Sequence, residues 1–218
     1  MIITTDKVYK IKKNNKSYSE LDHLGGNDPY SVSKVCAELV TESFAKSFFE
    51  KSFLNNKVST ARSGNVIGGG DYSKNRLLPD IIRSVNAKKI LVVRNPNHIR
   101  PWQHVIEPLV GYMKLAEKQF KSKKLDNYNA WNFGPKKENF IKVINIVNLL
   151  KNRFNFDIKI SKKQKFSETK VLKLSSNKSN RKLKWSNKWN LKKSLNKVIE
   201  WNQLFNKNVK AKKICEKQ

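Results

Sequence analysis

Tyr30-Ser31-Val32-Ser33-Lys34 places a phenol and an ammonium four residues apart. If the segment is helical, the two side chains share one face. A phenol ionises near pH 10, so it works as an acid or base at neutral pH only where something favours the phenolate. A cation one turn away does so. The pair alone arises often by chance and is by default an exposed helix pair. It gains weight from Thr5-Asp6-Lys7, about 25 residues upstream. There a hydroxyl, a carboxylate and an ammonium follow one another at the end of a β-branched run, Ile2-Ile3-Thr4-Thr5. Open α/β sheets place their ligands beyond such strand ends, so the two groups together read as a proton-transfer site.

The elements that would position them alternate. After the strand at residues 1–5, the polar stretch Lys10 to Glu20 reads as loop. From Tyr30 to Glu50 the pattern is helical, with Cys36, Val40, Phe44 and Phe48 in one stripe flanked by Val32, Val35 and Leu39. Val58 to Ala61 reads as a strand, and Gly68-Gly69-Gly70 beyond it as a flexible turn. Leu77 to Val85 is expected to be helical with Pro79 in its first turn, Ile90 to Val93 a strand, and Glu107 to Phe120 an amphipathic helix. Lys121 to Tyr128 reads as a lysine-rich connection and Trp131 to Pro135 as strand into turn. Helix over Ile141 to Phe154, strand over Ile158 to Ile160 and a helix over Leu191 to Phe205 complete the pattern, which predicts an α/β fold.

The formal charge of +29 raises the question of a polyanion partner. Residues 121–218 hold 27 basic and 6 acidic side chains, so the excess gathers in the second half. Only seven of the basic residues are Arg, the preferred reader of phosphates and base edges, and no recognition motif is present. A dedicated nucleic-acid function is therefore not expected. No apolar run approaches the roughly 20 residues of a membrane span, and no signal-peptide pattern opens the chain. Cys36 and Cys215 lie far apart with no metal-ligand or redox spacing, as expected of free thiols in a reducing cytoplasm and of a site without metal.

The spacing of Thr5 to Tyr30 and Lys34 resembles the Thr/Ser–Tyr–Lys triad of the extended short-chain dehydrogenase/reductase superfamily. Thr5-Asp6-Lys7 looks like the dehydratase form of its strand-end motif. Enzymes acting on dTDP-glucose usually carry Asp-Glu after the Thr, whereas Asp-Lys is the pattern of the CDP-glucose 4,6-dehydratases. Gly25 to Ser31, Ala61 to Asp71, Arg76 to Asp80, Arg94 to Pro96, Ile99 to Val105 and Trp131 to Pro135 resemble those enzymes in order. The resemblance thins after Lys136, although Lys182 to Trp185 and Trp201 still fit; Ser167-Glu168-Thr169 departs from the pattern.

What the resemblance implies is an NAD-dependent lyase acting on CDP-glucose, cytoplasmic and homodimeric. Tyr30 would take the proton of the sugar's 4-hydroxyl, Lys34 would lower the pKa of Tyr30 and hold the nicotinamide ribose, and Thr5 would bond the same oxygen. Asp6 would protonate the hydroxyl leaving carbon 6, and Lys7 would assist loss of the carbon 5 proton. Asn65 and Arg100 would contact the diphosphate, and Arg76 the nucleotide end. Blander readings stand beside these: Asn65 as a turn cap, Arg76 as a solvated charge, His104 as a structural histidine, Trp102 and Trp131 as core.

The expected fold is a partial Rossmann-type parallel sheet with a smaller C-terminal α/β substrate-binding lobe. Residues 1–135 would form the catalytic part of the cofactor domain interleaved with substrate-binding segments, and 136–218 mainly the lobe. No Gly-x-Gly-x-x-Gly fingerprint for a pyrophosphate occurs in these residues, so the chain reads as a fragment of such an enzyme, inactive alone. The alternatives are another epimerase or dehydratase of the superfamily, for which an acid at carbon 6 would be superfluous, and a nonenzymatic basic binding protein.

Overall fold

The computed structural model describes residues 1–12, 14–49, 57–121, 128–161 and 169–218. In chain order the elements are β1 (Ile2–Ile3), α1 (Pro29–Phe44), β2 (Val58–Ser63), β3 (Asn65–Ile67), α2 (Leu77–Asn86), β4 (Leu91–Val93) and β5 (Ile99–His104). They continue through α3 (Ile106–Lys121), β6 (Tyr128–Phe133), β7 (Phe140–Lys142), α4 (Val143–Lys151), β8 (Ile158–Ile160), α5 (Asn177–Leu183), α6 (Leu191–Asn206) and α7 (Ala211–Glu216).

β1, β2 and β6 form a parallel sheet in that order, with Ile3 opposite Ala61 and Ala61 opposite Trp131. Parallel neighbours need a crossover, and α1 supplies the one between β1 and β2. β3 pairs parallel with β5 and β5 antiparallel with β7, while β4 and β8 form a parallel pair. The expected α/β fold with a parallel sheet is present. Two buried clusters carry most of the packing. Ala61, Leu115, Trp131, Phe133, Leu183 and Trp185 pack the first sheet against α3 and α5. Ile67, Leu78, Ile81, Leu91, Trp102, Ile146, Leu150, Leu195 and Val198 join α2, α4 and α6 to the strands between them.

α1 begins where its sequence provides a start signal. Asp28 accepts from the Ser31 amide at 3.0 Å, Ser31 Oγ accepts from the Asp28 amide at 3.2 Å, and Pro29 occupies the first turn. The helical period runs on through a π-helical turn, Ala45–Phe49, but Val32, Leu39, Val40, Phe44 and Phe48 all face outward. The stripe foretold a helix correctly and not a buried face.

Two sequence expectations are corrected. Residues 141–154 are not one helix, because Ile141 pairs with Arg100 in β7 and α4 starts only at Val143. The first amides of α4 are satisfied from outside: Val143 donates to the His98 carbonyl at 3.0 Å and Ile144 to that of Pro96 at 2.9 Å. The second concerns Gly69, where a Cβ would stand 2.0 Å from Trp201 Cγ. The Gly68-Gly69-Gly70 run permits a close approach of α6 to the backbone rather than serving as a merely flexible turn. β3, β5, α5 and α7 had no expectation.

Candidate active site

β1 delivers its last residues to the sheet edge and then turns away. The Thr4 amide still bonds the Ala61 carbonyl at 2.8 Å, and Thr5 caps a 3-10 turn over Asp6–Val8, accepting from the Lys7 amide at 3.4 Å. This turn aims Thr5, Asp6 and Lys7 into a cleft of about 430 Å³. Tyr30, in the first turn of α1, lines the same cleft, and Lys7 Nζ lies 5.9 Å from the centre of its ring. Tyr30 is half exposed at this mouth. Lys34 stands one turn further along α1 and is not among the residues lining the cleft.

Asp6 stands out by its burial. It is 3 % exposed, Thr5 Oγ1 donates to its Oδ1 at 3.2 Å, and Oδ2 has no hydrogen-bond partner among the described residues. Burial pushes its pKa up to about 6, against the charges of Arg100 and Lys7, which pull it down. Gly64 keeps room beside it: a Cβ there would stand 2.3 Å from Pro101 Cγ and 3.1 Å from Asp6 Oδ2. A carboxyl that can carry a proton near neutrality, with one oxygen uncommitted inside a cleft, is suited to general acid work.

Arginines line the cleft as well. Asn65 on β3, Arg76 at the start of α2, Arg94 after β4 and Arg100 on β5 all line the cleft. Arg100 is buried; its guanidinium donates to the Ile99 carbonyl at 3.0 Å and to His98 Nδ1 at 2.9 Å. Arg76 is mostly exposed and pairs with Asp71 at 3.0 Å. The structure thus gathers Thr5, Asp6, Lys7, Tyr30, Asn65, Arg76 and Arg100 around one space, with Lys34 behind Tyr30. Trp131 is core, and Trp102 is both buried and part of the cleft wall. His104 is fully buried and holds the Ile106 amide at 3.4 Å, and burial draws its pKa down to about 4. It is a neutral structural histidine. Among the described residues no cluster of His, Cys, Asp and Glu could hold a metal ion, and no helix is long and apolar enough to cross a membrane.

Sequence reasoning missed the pair that holds the two halves of this site in register. Glu38 on α1 and Arg62 on β2 meet in the interior, Nε to Oε1 at 2.9 Å and Nη2 to Oε2 at 2.8 Å. Thr4 and Thr60 donate to the same carboxylate, and Arg62 also donates to Tyr9 Oη at 2.8 Å. Glu38 is four residues beyond Lys34 and eight beyond Tyr30, so a legible signal existed: an acidic residue on the helix face that carries the phenol and the ammonium.

Residues 1–130 match the NAD dependent epimerase/dehydratase family. The CDP-glucose 4,6-dehydratase of Salmonella typhimurium is 38% identical over 208 residues, a match that takes in 93% of this chain and 58% of that enzyme. The chain therefore spans less than two thirds of the length of that curated relative. Among solved structures, DesIV of Streptomyces venezuelae, a dTDP-glucose 4,6-dehydratase with NAD and TYD bound, superposes with a TM-score of 0.78 at 17% identity, covering 93% of this chain and 59% of that one. UDP-glucuronic acid 4-epimerase of Bacillus cereus, in complex with UDP-glucuronic acid and NAD, gives 0.75 at 19%, covering 89% and 58%. At these identities the solved structures speak for the fold.

Proposed function

Because the chain belongs to the NAD dependent epimerase/dehydratase family, we propose that its cleft performs the 4,6-dehydration of a nucleotide-activated glucose, CDP-glucose, as part of deoxysugar synthesis. The observation that carries this is Asp6, a buried carboxyl with a raised pKa and an unpartnered oxygen, beside Thr5 and Lys7 and across from Tyr30. Epimerisation at carbon 4 needs no such acid. Loss of water from carbon 6 does.

The division of labour follows from charge and reach. Tyr30 takes the proton of the 4-hydroxyl, and Thr5 holds the same oxygen. NAD, when bound, supplies the reversible oxidation at carbon 4. The donor set at the mouth, a half-exposed phenol with an ammonium one turn on, fits the nicotinamide ribose, which Tyr30 and Lys34 would hold. The pyrophosphate finds no comparable cradle at α1, whose N-terminus is already capped by Asp28. A ketone at carbon 4 acidifies the carbon 5 proton, which Lys7 helps remove, and Asp6 delivers a proton to the departing carbon 6 hydroxyl. Asn65 and Arg100 hold the diphosphate through charge-assisted hydrogen bonds, and Arg76 faces the nucleotide end. Residues 1–135 would form the catalytic part interleaved with substrate-binding segments and 136–218 mainly the C-terminal substrate-binding lobe, in a cytoplasmic homodimer.

CDP-glucose is preferred over other sugar nucleotides on the strength of Asp6-Lys7 and of the Salmonella typhimurium relative. The test joins this chain to the part of that relative outside the match and supplies NAD with CDP-, dTDP- and UDP-glucose separately. The proposal expects a 4-keto sugar bearing a carbon 6 methyl group from CDP-glucose in preference to the other two. A 4-epimer retaining its carbon 6 hydroxyl would overturn it.

A further inference from the structure

His98 sits in the short connection between β4 and β5, and that connection is fixed with unusual care. Asn95 turns it through a left-handed φ of 48°, and the His98 amide closes the turn on the Asn95 carbonyl at 3.1 Å. Its carbonyls then serve as the cap that α4 lacks. Lys142 makes no side-chain cap bond, and the amides of Val143 and Ile144 bond His98 and Pro96 instead. A helix start whose first amides bond outward thus anchors the backbone of His98 at the cleft wall, and its side chain is buried there.

We propose that His98 is a positioning residue for the substrate's diphosphate, holding the Arg100 guanidinium in place through Nδ1. Arg can only donate, so the 2.9 Å contact requires an unprotonated Nδ1, which in a neutral ring puts the proton on Nε2. Arg100 is held from other directions by the carbonyls of Ile99 at 3.0 Å and Lys170 at 3.4 Å. Arg100 lines the cleft, where a diphosphate would meet its guanidinium, and its charge favours ionisation of Asp6. One histidine therefore bears on the diphosphate contact and on Asp6 without touching the substrate's reacting atoms.

This inference rests on the reading of Arg100 as a diphosphate contact, and the experiment separates the two. Long-range proton–nitrogen correlation on the chain without ligand reports the ring directly: Nδ1 unprotonated is expected, and a proton on Nδ1 would overturn the proposal. Calorimetric titration with CDP-glucose then compares His98→Phe and His98→Asn, each alone and combined with Arg100→Ala. His98→Phe should weaken binding by about tenfold while Arg100 is present and leave it unchanged in the Arg100→Ala background. His98→Asn, which keeps an acceptor, should restore affinity to within about threefold of the parent. An equal loss from His98→Phe in both backgrounds, or no rescue by Asn, contradicts positioning. Unchanged affinity on Arg100→Ala alone would defeat the diphosphate reading of Arg100, and with it the positioning role of His98, even with Nδ1 unprotonated.

Discussion

Arg62 and Glu38 face each other in a two-pronged ion pair inside the molecule, with both side chains almost wholly removed from solvent. Because Thr4 and Thr60 complete the shell of Glu38, the pair ties α1 to β1 and β2 just behind the cleft. Burial opposes ionisation of Glu38, but the hydrogen bonds and charge of Arg62 outweigh it and hold the carboxyl below its ordinary value.

Removing one partner of such a pair strands the other. Glu38→Gln should lower stability by about 3–5 kcal/mol, whereas replacing both partners with apolar residues of similar volume should cost less. A depressed folded-state pKa gives stability that is present above the ordinary value of 4.5 and lost as pH falls below it. Denaturant titration should therefore show the wild-type advantage over Glu38→Gln shrinking in that acid range.

Asp6 has the opposite sign. Its folded-state pKa of about 6 lies above the ordinary 3.8, so the folded state holds the proton over that interval and loses stability as pH rises through it. Asp6→Asn removes this strain. Above pH 6 it should be more stable than wild type by about 3 kcal/mol, with the difference fading towards pH 3.8. Thermal unfolding across this range checks it; equal pH dependence for both proteins would mean that Asp6 ionises as an ordinary surface carboxyl. The same variant should lose turnover, a stability cost of the kind active sites carry.

Gly69→Ala asks whether α6 depends on a missing side chain. A methyl group there meets the Trp201 ring, so the helix must shift or the ring must turn. Overpacking of this kind costs about 1–3 kcal/mol, and the loss should appear in unfolding experiments with little change at the Tyr30 end of the cleft.

The α/β alternation and the grouping of Thr5, Asp6, Lys7 and Tyr30 were legible because they depend on local signals: β-branched residues before Thr5, and Tyr30 and Lys34 one turn apart. What stayed hidden was set by distant partners. Ile141 became a strand residue because Arg100 lies beside it, and Gly69 owes its place to Trp201. His98 and Arg62 acquire meaning only through neighbours brought close by folding. The outward stripe of α1 has a helical period, but period does not say which face is covered.

Tyr30→Phe isolates the proton transfer. It keeps the ring that Lys7 faces and removes the hydroxyl, so turnover should fall by about 10²–10⁴-fold with the affinity for CDP-glucose nearly unchanged. Parallel rate and binding measurements on the joined enzyme decide it. Near-normal turnover would make Tyr30 an ordinary helix residue.

The central claim is an elimination across carbons 5 and 6 that leaves NAD as it began, and turnover in deuterated water reads it most directly. Once carbon 4 is a ketone, the carbon 5 proton passes to the protein and exchanges with solvent. The account expects a 4-keto-6-deoxy product from CDP-glucose with deuterium at carbon 5 and no accumulation of NADH. A 4-epimer without deuterium at carbon 5, or NADH building up in step with product, would contradict it.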